Sequence, residues 1–199
     1  MADRRPLARM ELPIDTATLA RFLIGKVVVR ELPEGVVSGR IVETEAYVVG
    51  DAAGHAYRRM TERNRSLFLE HGRAYVYVAY GNSNMLNVSS ETQGIGAGVL
   101  IRAIEPLEGT PIMRLNRGIE RLRDLARGPG RLTAALRVDL CLDGLDLCRE
   151  GPLWLGHGDD EPGEIGQSSR IGITRDANRL LRFYLRDSPF VSGPRSLRQ

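Results

Sequence analysis

Residues 27–104 form a run of β-branched and aromatic segments at 27–32, 36–47, 73–80, 84–90 and 98–104. Turn chemistry separates them at 33–35, 81–82 and 93–96. No long helix intervenes, so successive strands pair with their neighbours and the expected product is a curved, mostly antiparallel, barrel-like sheet. A helix is expected over 15–24, with Asp15 as N-cap, Leu19, Phe22 and Leu23 on one face, and Gly25 just past its end. After the sheet, 110–127 reads as helical and a second short helix should start after Gly128, Pro129 and Gly130. The Gly-rich last third predicts short strands at 153–155, 170–174 and 181–186. With no repeat and no linker, this is an α+β fold of one domain over 14–199, with helices around the sheet, a protruding β-hairpin at 71–90, and a flexible arm over 1–13.

The 199 residues, 42% hydrophobic, are enough to bury a core without disulfides or metal. Cys141 and Cys148 are too few for a disulfide scaffold and lack zinc-site spacing, which predicts a reduced, cytoplasmic setting. The basic first residues lead into no apolar run of signal-peptide length, and no segment is apolar enough to span a bilayer. The net charge is only +3, but 27 Arg stand against one lysine, Lys26. Segments 114–137 and 170–199 each hold seven Arg and two acidic residues, while 139–164 holds eight acidic residues and one Arg. Such asymmetry suits a polyanion-binding face with an acidic back, and equally the surface scatter of an Arg-rich chain.

Chemistry concentrates in four places. In the strand GRIVETEAY, 39–47, Ile41, Glu43, Glu45 and Tyr47 share one face, and Val42, Thr44 and Ala46 pack on the core from the other. Carboxylates two residues apart repel, which raises one pKa and makes a general acid or base; the same pattern also fits the polar face of an edge strand. In the hairpin, Tyr75 and Tyr77 share a face and Tyr80 sits beside the turn, free to stack on or wedge between bases, or simply a good strand former. A two-residue turn at Gly81 and Asn82 would pair Val76 with Asn87; a three-residue loop or a bulge is expected to bring Tyr77 opposite Asn87. Arg102, alone in an apolar strand, must find an anion, with Glu45 the candidate, or else reach solvent. His55 lies in a loop. The three histidines have no metal-ligand spacing and no Gly-rich phosphate loop follows a strand, so neither metal nor nucleotide cofactor is expected. The GPGRLTAAL segment resembles the Gly-rich turn of a helix-hairpin-helix, or a plain helix stop and restart.

Taken in order, RIVETEAY, a His in the next loop, ERNRSLF, YVYVAYG, NVSS, GVLIRAIEPLEG, GPGRL and LRFYLRDSPFVS resemble the alkyladenine (3-methyladenine or methylpurine) DNA glycosylase family, over about residues 18–192. The resemblance implies a monofunctional base-excision-repair enzyme that flips alkylated or deaminated purines from double-stranded DNA and hydrolyses the N-glycosidic bond. It makes Glu45 the general base that activates water against C1′, and Arg102 the residue that helps hold that water. Tyr47, His55 and Tyr77 become the pocket walls, with His55 donating a hydrogen bond to the base. Asn87 obstructs the 2-amino group of guanine, and Tyr80 intercalates. It also implies a bacterial, nucleoid-associated monomer without cofactor. Asn82, Ser83 and Gly98 are smaller than their counterparts in mammalian members, which implies weaker wedging and a wider pocket. Two other readings are a carbohydrate O-glycosidase using Glu43 and Glu45, and a non-catalytic nucleic-acid-binding module in which Glu45 is dispensable.

Overall fold

The computed structural model describes residues 5–158, 162–194 and 196, and its organising element is a strand of 13 residues, β2 (Gly35–Tyr47). One edge of β2 pairs with β5 (Gly98–Glu108) along its length. The other edge is divided: residues 35–40 pair with β1 (Val27–Leu32), whereas Glu43, Thr44 and Glu45 pair with β8 (Arg182–Leu185). β3 (Ala74–Ala79) and β4 (Ser83–Ser89) extend the sheet beyond β5, β6 (Leu153–Gly156) extends it beyond β1, and β7 (Ile165–Ser168) lies on β8. Every pairing is antiparallel. A sheet that forks at its central strand cannot stay flat, and this one curls into a half-barrel, in agreement with the expected α+β fold.

Two compensating bulges shape the centre. Ile41 pairs with Ile104 and Glu43 with Ala103, which leaves Val42 extra on β2; Thr44 then pairs with Ile101, which leaves Arg102 extra on β5. A bulge re-aims the side chain it carries. The inner core is built from Leu19 and Leu23, Ile41, Val42 and Ala46, Ile101 and Ile104, and Leu132. α1 (Thr16–Phe22) starts on Asp15, whose Oδ1 accepts the Thr18 N–H at 2.8 Å, and is fastened to β2 by Thr44 Oγ1 donating to Ala20 O at 2.8 Å. α3 (Pro129–Ala135) is tied to β4 by Thr133 Oγ1 donating to Asn84 O at 2.7 Å.

Three expectations need correction. The helix expected over 110–127 is α2 (Thr110–Arg117) alone: Gly118 turns left-handed at φ 64°, and only a 3-10 turn at Leu122–Asp124 follows. No strand forms at 170–174; Gly172 has φ 77°, and the strand lies earlier, at β7. The arm expected over 1–13 is docked from residue 5. Leu7 and Leu12 are buried, Leu7 N donates to Leu155 O at 2.8 Å, and Arg9 Nη2 donates to Asp146 Oδ1 at 2.7 Å. Its two leucines bury apolar surface that a mobile arm would leave in water. Residues 1–4 lie outside the described residues. Among the described residues no helix is long and apolar enough to cross a membrane.

Candidate active site

The extra residue of β5, Arg102, is only 8% exposed and holds both β2 carboxylates. Its Nε donates to Glu43 Oε1 at 3.0 Å and its Nη1 to Glu45 Oε2 at 3.2 Å. Of the two sequence alternatives, the anion won, and there are two of them. The carboxylates are both buried but differently equipped. Glu43 Oε1 also accepts from Arg182 Nε at 2.7 Å, and its Oε2 from the Ser192 N–H at 2.6 Å. Glu45 has one arginine, and completes its shell with the Tyr47 hydroxyl at 3.1 Å and the Ile171 N–H at 2.7 Å.

This difference separates their acidities. Burial pushes Glu43 upward, but the charges of Arg102 and Arg182, with hydrogen bonds from Arg182 and Ser192, outweigh it and hold the carboxyl below its ordinary value. Burial also pushes Glu45 upward, and there Arg102 and the Ile171 N–H do not compensate; the nearby Glu43 charge adds to the rise. Two carboxylates whose environments drive them apart mark a fixed anion and a group able to exchange a proton.

The carboxylates lie behind a cavity of about 170 Å³, not on its surface. Arg102, Tyr47 and Ile171, the three residues that bond Glu45, line it, together with His55, Tyr75, Tyr77, Tyr80, Asn87 and Pro129. The His55 ring meets Tyr77 edge-on, with centroids 4.4 Å apart, and Tyr75 stacks on Tyr77 at 5.3 Å. His55 Nδ1 and the Tyr75 hydroxyl are 2.9 Å apart. Loss of solvent around the ring, then the Arg63 charge, hold the His55 pKa below its ordinary value, so the imidazole is neutral at pH 7. Asn87 is buried on β4 and its Nδ2 donates to Tyr75 O at 3.1 Å.

The hairpin has the three-residue loop that was one expected alternative, but not the expected pairing of Tyr77 with Asn87. Ala79 pairs with Ser83 around a three-residue loop, which sets Asn87 opposite Tyr75 and Tyr77 opposite Met85. Asn87 and Tyr77 are thus diagonal neighbours on one face. At the tip, Tyr80 is 86% exposed and has φ 51°, a conformation unusual for a bulky residue. Gly98 lines the cavity, and a Cβ there would meet Leu67 Cδ2 at 2.7 Å and Val88 O at 3.0 Å.

Arginines flank the cavity on two sides. Arg117 and Arg131 line a groove with Tyr80 and Gly128–Gly130, and Arg58, Arg59, Arg63 and Arg175 line another beside His55. The two basic stretches do not form one uniform face, since Arg170 and Arg182 are buried and Arg123 and Arg127 donate to Pro189 O and Val191 O.

The sequence model of the methylpurine-DNA glycosylase (MPG) family matches residues 11–189. The chain belongs to this family. A protein of Mesorhizobium japonicum is 76% identical over 197 residues, which cover 99% of this chain and 95% of that one. One of Paraburkholderia phytofirmans is 53% identical over 192 residues (96% and 90%), and one of Methanoculleus marisnigri 44% over 182 (89% and 94%). All three carry the name "Putative 3-methyladenine DNA glycosylase". The expected resemblance is borne out, and the chain is a DNA glycosylase by family.

For a member of the methylpurine-DNA glycosylase family, the geometry brings together every site residue expected from sequence, with Glu45 behind the cavity wall and the others on it. Sequence reasoning put Tyr75 on the face of Tyr77 without giving it a role, and missed Ile171, Arg182 and Ser192. Arg182 carries the signal that singled out Arg102, a charge inside an apolar strand, and the same rule would have found it. The Ile171 and Ser192 contributions are backbone N–H groups, which no side-chain pattern reports.

The two carboxylates should differ in their effect on stability. Glu43→Gln leaves Arg182 and Arg102 short of an anion and should cost about 3–5 kcal/mol at neutral pH. Glu45→Gln should be close to neutral or stabilising. A lowered folded pKa means that the Glu43 contribution is present above the ordinary carboxylate value and lost as pH falls through the folded value. The raised Glu45 contributes fully below the ordinary value and loses that contribution as pH rises through its folded value. Thermal melts of both variants across pH 4–8 check this; equal losses at pH 7 would contradict it.

Proposed function

We propose that this glycosylase flips alkylated or deaminated purines out of duplex DNA and cleaves the N-glycosidic bond with water as its only nucleophile. The observation that carries the reading is Glu45, a buried carboxylate with a raised pKa, joined through Arg102, Tyr47 and Ile171 to an aromatic cavity. The flipped base stacks among Tyr47, Tyr77 and His55, whose neutral imidazole offers one N–H to a base acceptor. Asn87 on the wall excludes the 2-amino group of guanine. Tyr80 fills the gap left in the duplex, and the flanking arginines take phosphates.

Water enters beside Arg102. Its oxygen bonds to C1′ as the C1′–N bond breaks, the purine leaves with the bonding pair, and the water proton passes to Glu45. While charge builds on the sugar, the ionised Glu45 stabilises the oxocarbenium-like state. Glu43, tied to two arginines, helps position Arg102. A carbohydrate O-glycosidase is disfavoured because it needs a second carboxyl free to act on the substrate, and Glu43 is held by Arg102, Arg182 and the Ser192 N–H. A purely binding module would have no use for the uphill ionisation of Glu45. All of these residues come from one chain, so a monomer suffices, and a cytoplasmic protein would meet its substrate on the nucleoid.

The enzyme should stop at the abasic site. A lyase needs an amine to form a Schiff base at C1′, and the only lysine, Lys26, has its Nζ 4.9 Å from the centroid of the Phe22 ring and does not line the cavity.

Glu45→Gln should retain binding of methylated duplex and lose about a hundredfold or more in single-turnover release of methylated purines. A rate within a few fold of the parent would remove Glu45 as the base. Borohydride treatment of the enzyme with methylated duplex should trap no adduct; a protein–DNA adduct that vanishes in Lys26→Ala would overturn the water mechanism.

A further inference from the structure

Arg170 follows β7 in a segment without regular structure, yet it is only 4% exposed. Nη1 donates to the Asp51 carboxylate and, at 2.9 Å, to Ala46 O. Nη2 donates to Asp51 Oδ1 at 3.0 Å and to Asp176 O at 3.4 Å. The guanidinium lies over the Tyr47 ring, 4.6 Å from its centroid. Tyr47 lines the cavity and Arg170 does not, so the guanidinium backs the ring face turned away from it. Asp51 is also buried and folds the loop that leads to His55, through the Ala53 N–H on its Oδ1 at 3.0 Å and the Gly54 N–H on its carbonyl at 2.9 Å. Ile171, the residue after Arg170, gives its N–H to Glu45.

We propose that the buried Arg170–Asp51 pair is a positioning device for the reaction, holding the Tyr47 hydroxyl and the Ile171 N–H on Glu45 and so fixing the aim and charge of that carboxylate. The proposal rests on Glu45 as the base. Both donors that reach Glu45 from outside β5 are anchored by this one guanidinium, Tyr47 by stacking and by the bond to Ala46 O, Ile171 by chain adjacency. A buried ion pair is weak evidence for stability as such, because desolvation offsets much of the attraction. Bidentate geometry with a flat stacked face is what arginine supplies and lysine does not.

The groups facing Glu45 are Glu43 and Tyr47 on β2, Arg102 on β5, Tyr77 on β3, Arg182 opposite it on β8, and the Ile171 N–H. Only Tyr47 and Ile171 are tied to Arg170. Hydrogen bonds donated to a carboxylate favour its charged form, so loosening them raises its pKa. The acid limb of the rate profile, which reports ionisation of the base, then moves to higher pH. A pair that only supported the fold would leave that limb in place in any variant that folds.

The test uses Arg170→Lys, Asp51→Asn and the double variant R170Q/D51N, which removes both buried charges together. Single-turnover release of purines from a methylated duplex is followed across pH, with duplex affinity and melting temperature measured beside it. The expected result is a plateau rate lower by about tenfold or more, an acid limb at higher pH, and affinity within a few fold of the parent. The proposal is overturned by folded variants whose rate and acid limb match the parent, by a loss confined to affinity, or by failure of all three to fold, which would make the pair a fold element. Glu45→Gln separates the two levels: if it retains the parent rate, the reading of Glu45 fails and this proposal with it, whereas an inactive Glu45→Gln beside unchanged pair variants removes only the positioning role.

Discussion

A guanidinium inside an apolar strand is the constraint on which the rest of the molecule depends. Arg102 cannot be left unpaired in the sheet interior, because a buried charge without an anion costs several kcal/mol. One carboxylate would neutralise it; the fold supplies two, Glu43 and Glu45, from adjacent positions on one face of β2. The surplus negative charge then requires Arg182, which is why β8 lies along the second half of β2 and why the segment ending at Ser192 folds back to cap Glu43. The forked topology of the sheet and the electrostatics of the site are therefore one arrangement. Remove the fork, and Glu43 has no second arginine and no reason to differ from Glu45.

That arrangement divides labour between like groups. Glu43 receives two arginines and a backbone N–H; Glu45 receives one arginine, a phenol and a backbone N–H, each from a residue that also lines the cavity. A proton acceptor has to change charge during the reaction, so its surroundings must stabilise both states nearly equally. A neighbour that keeps its charge throughout, as the lowered pKa of Glu43 allows at neutral pH, can be held far more tightly. The hairpin adds a second demand, since an exposed tyrosine with positive φ at its tip gains little from its own fold. Such placement is consistent with a side chain whose partner is another molecule.

Much of this was legible in sequence wherever one residue decides its own surroundings. Asp15 capped its helix, the strands from Val27 to Ile104 fell close to where β-branching and turn residues put them, and Glu43, Glu45 and Arg102 were conspicuous as charges in apolar runs. What escaped depended on a partner. The bulges at Val42 and Arg102 exist only in the pairing of β2 with β5, and the hairpin register turned on one residue of loop length, which set Tyr75 instead of Val76 opposite Asn87. The helix expected to 127 gave way at Gly118, where a left-handed turn overrode a periodic pattern. The arm was misread because Leu7 and Leu12 are isolated among charges, and what holds the arm is the Leu7 N–H on Leu155 O of β6 and the Arg9 guanidinium on the Asp146 carboxylate. Ile171 acts through its N–H, to which the identity of its side chain is irrelevant.

The central claim is that one buried arginine serves two carboxylates of opposite temperament, and it can be read directly from their titration. Carbon-13 NMR of the glutamate carboxyl carbons, assigned with Glu43→Gln and Glu45→Gln, follows each group in the folded protein. The account predicts that Glu43 stays ionised to below the ordinary glutamate value while Glu45 takes up its proton above it. A titration in which Glu45 is the stronger acid, or in which the two groups are indistinguishable, would contradict it.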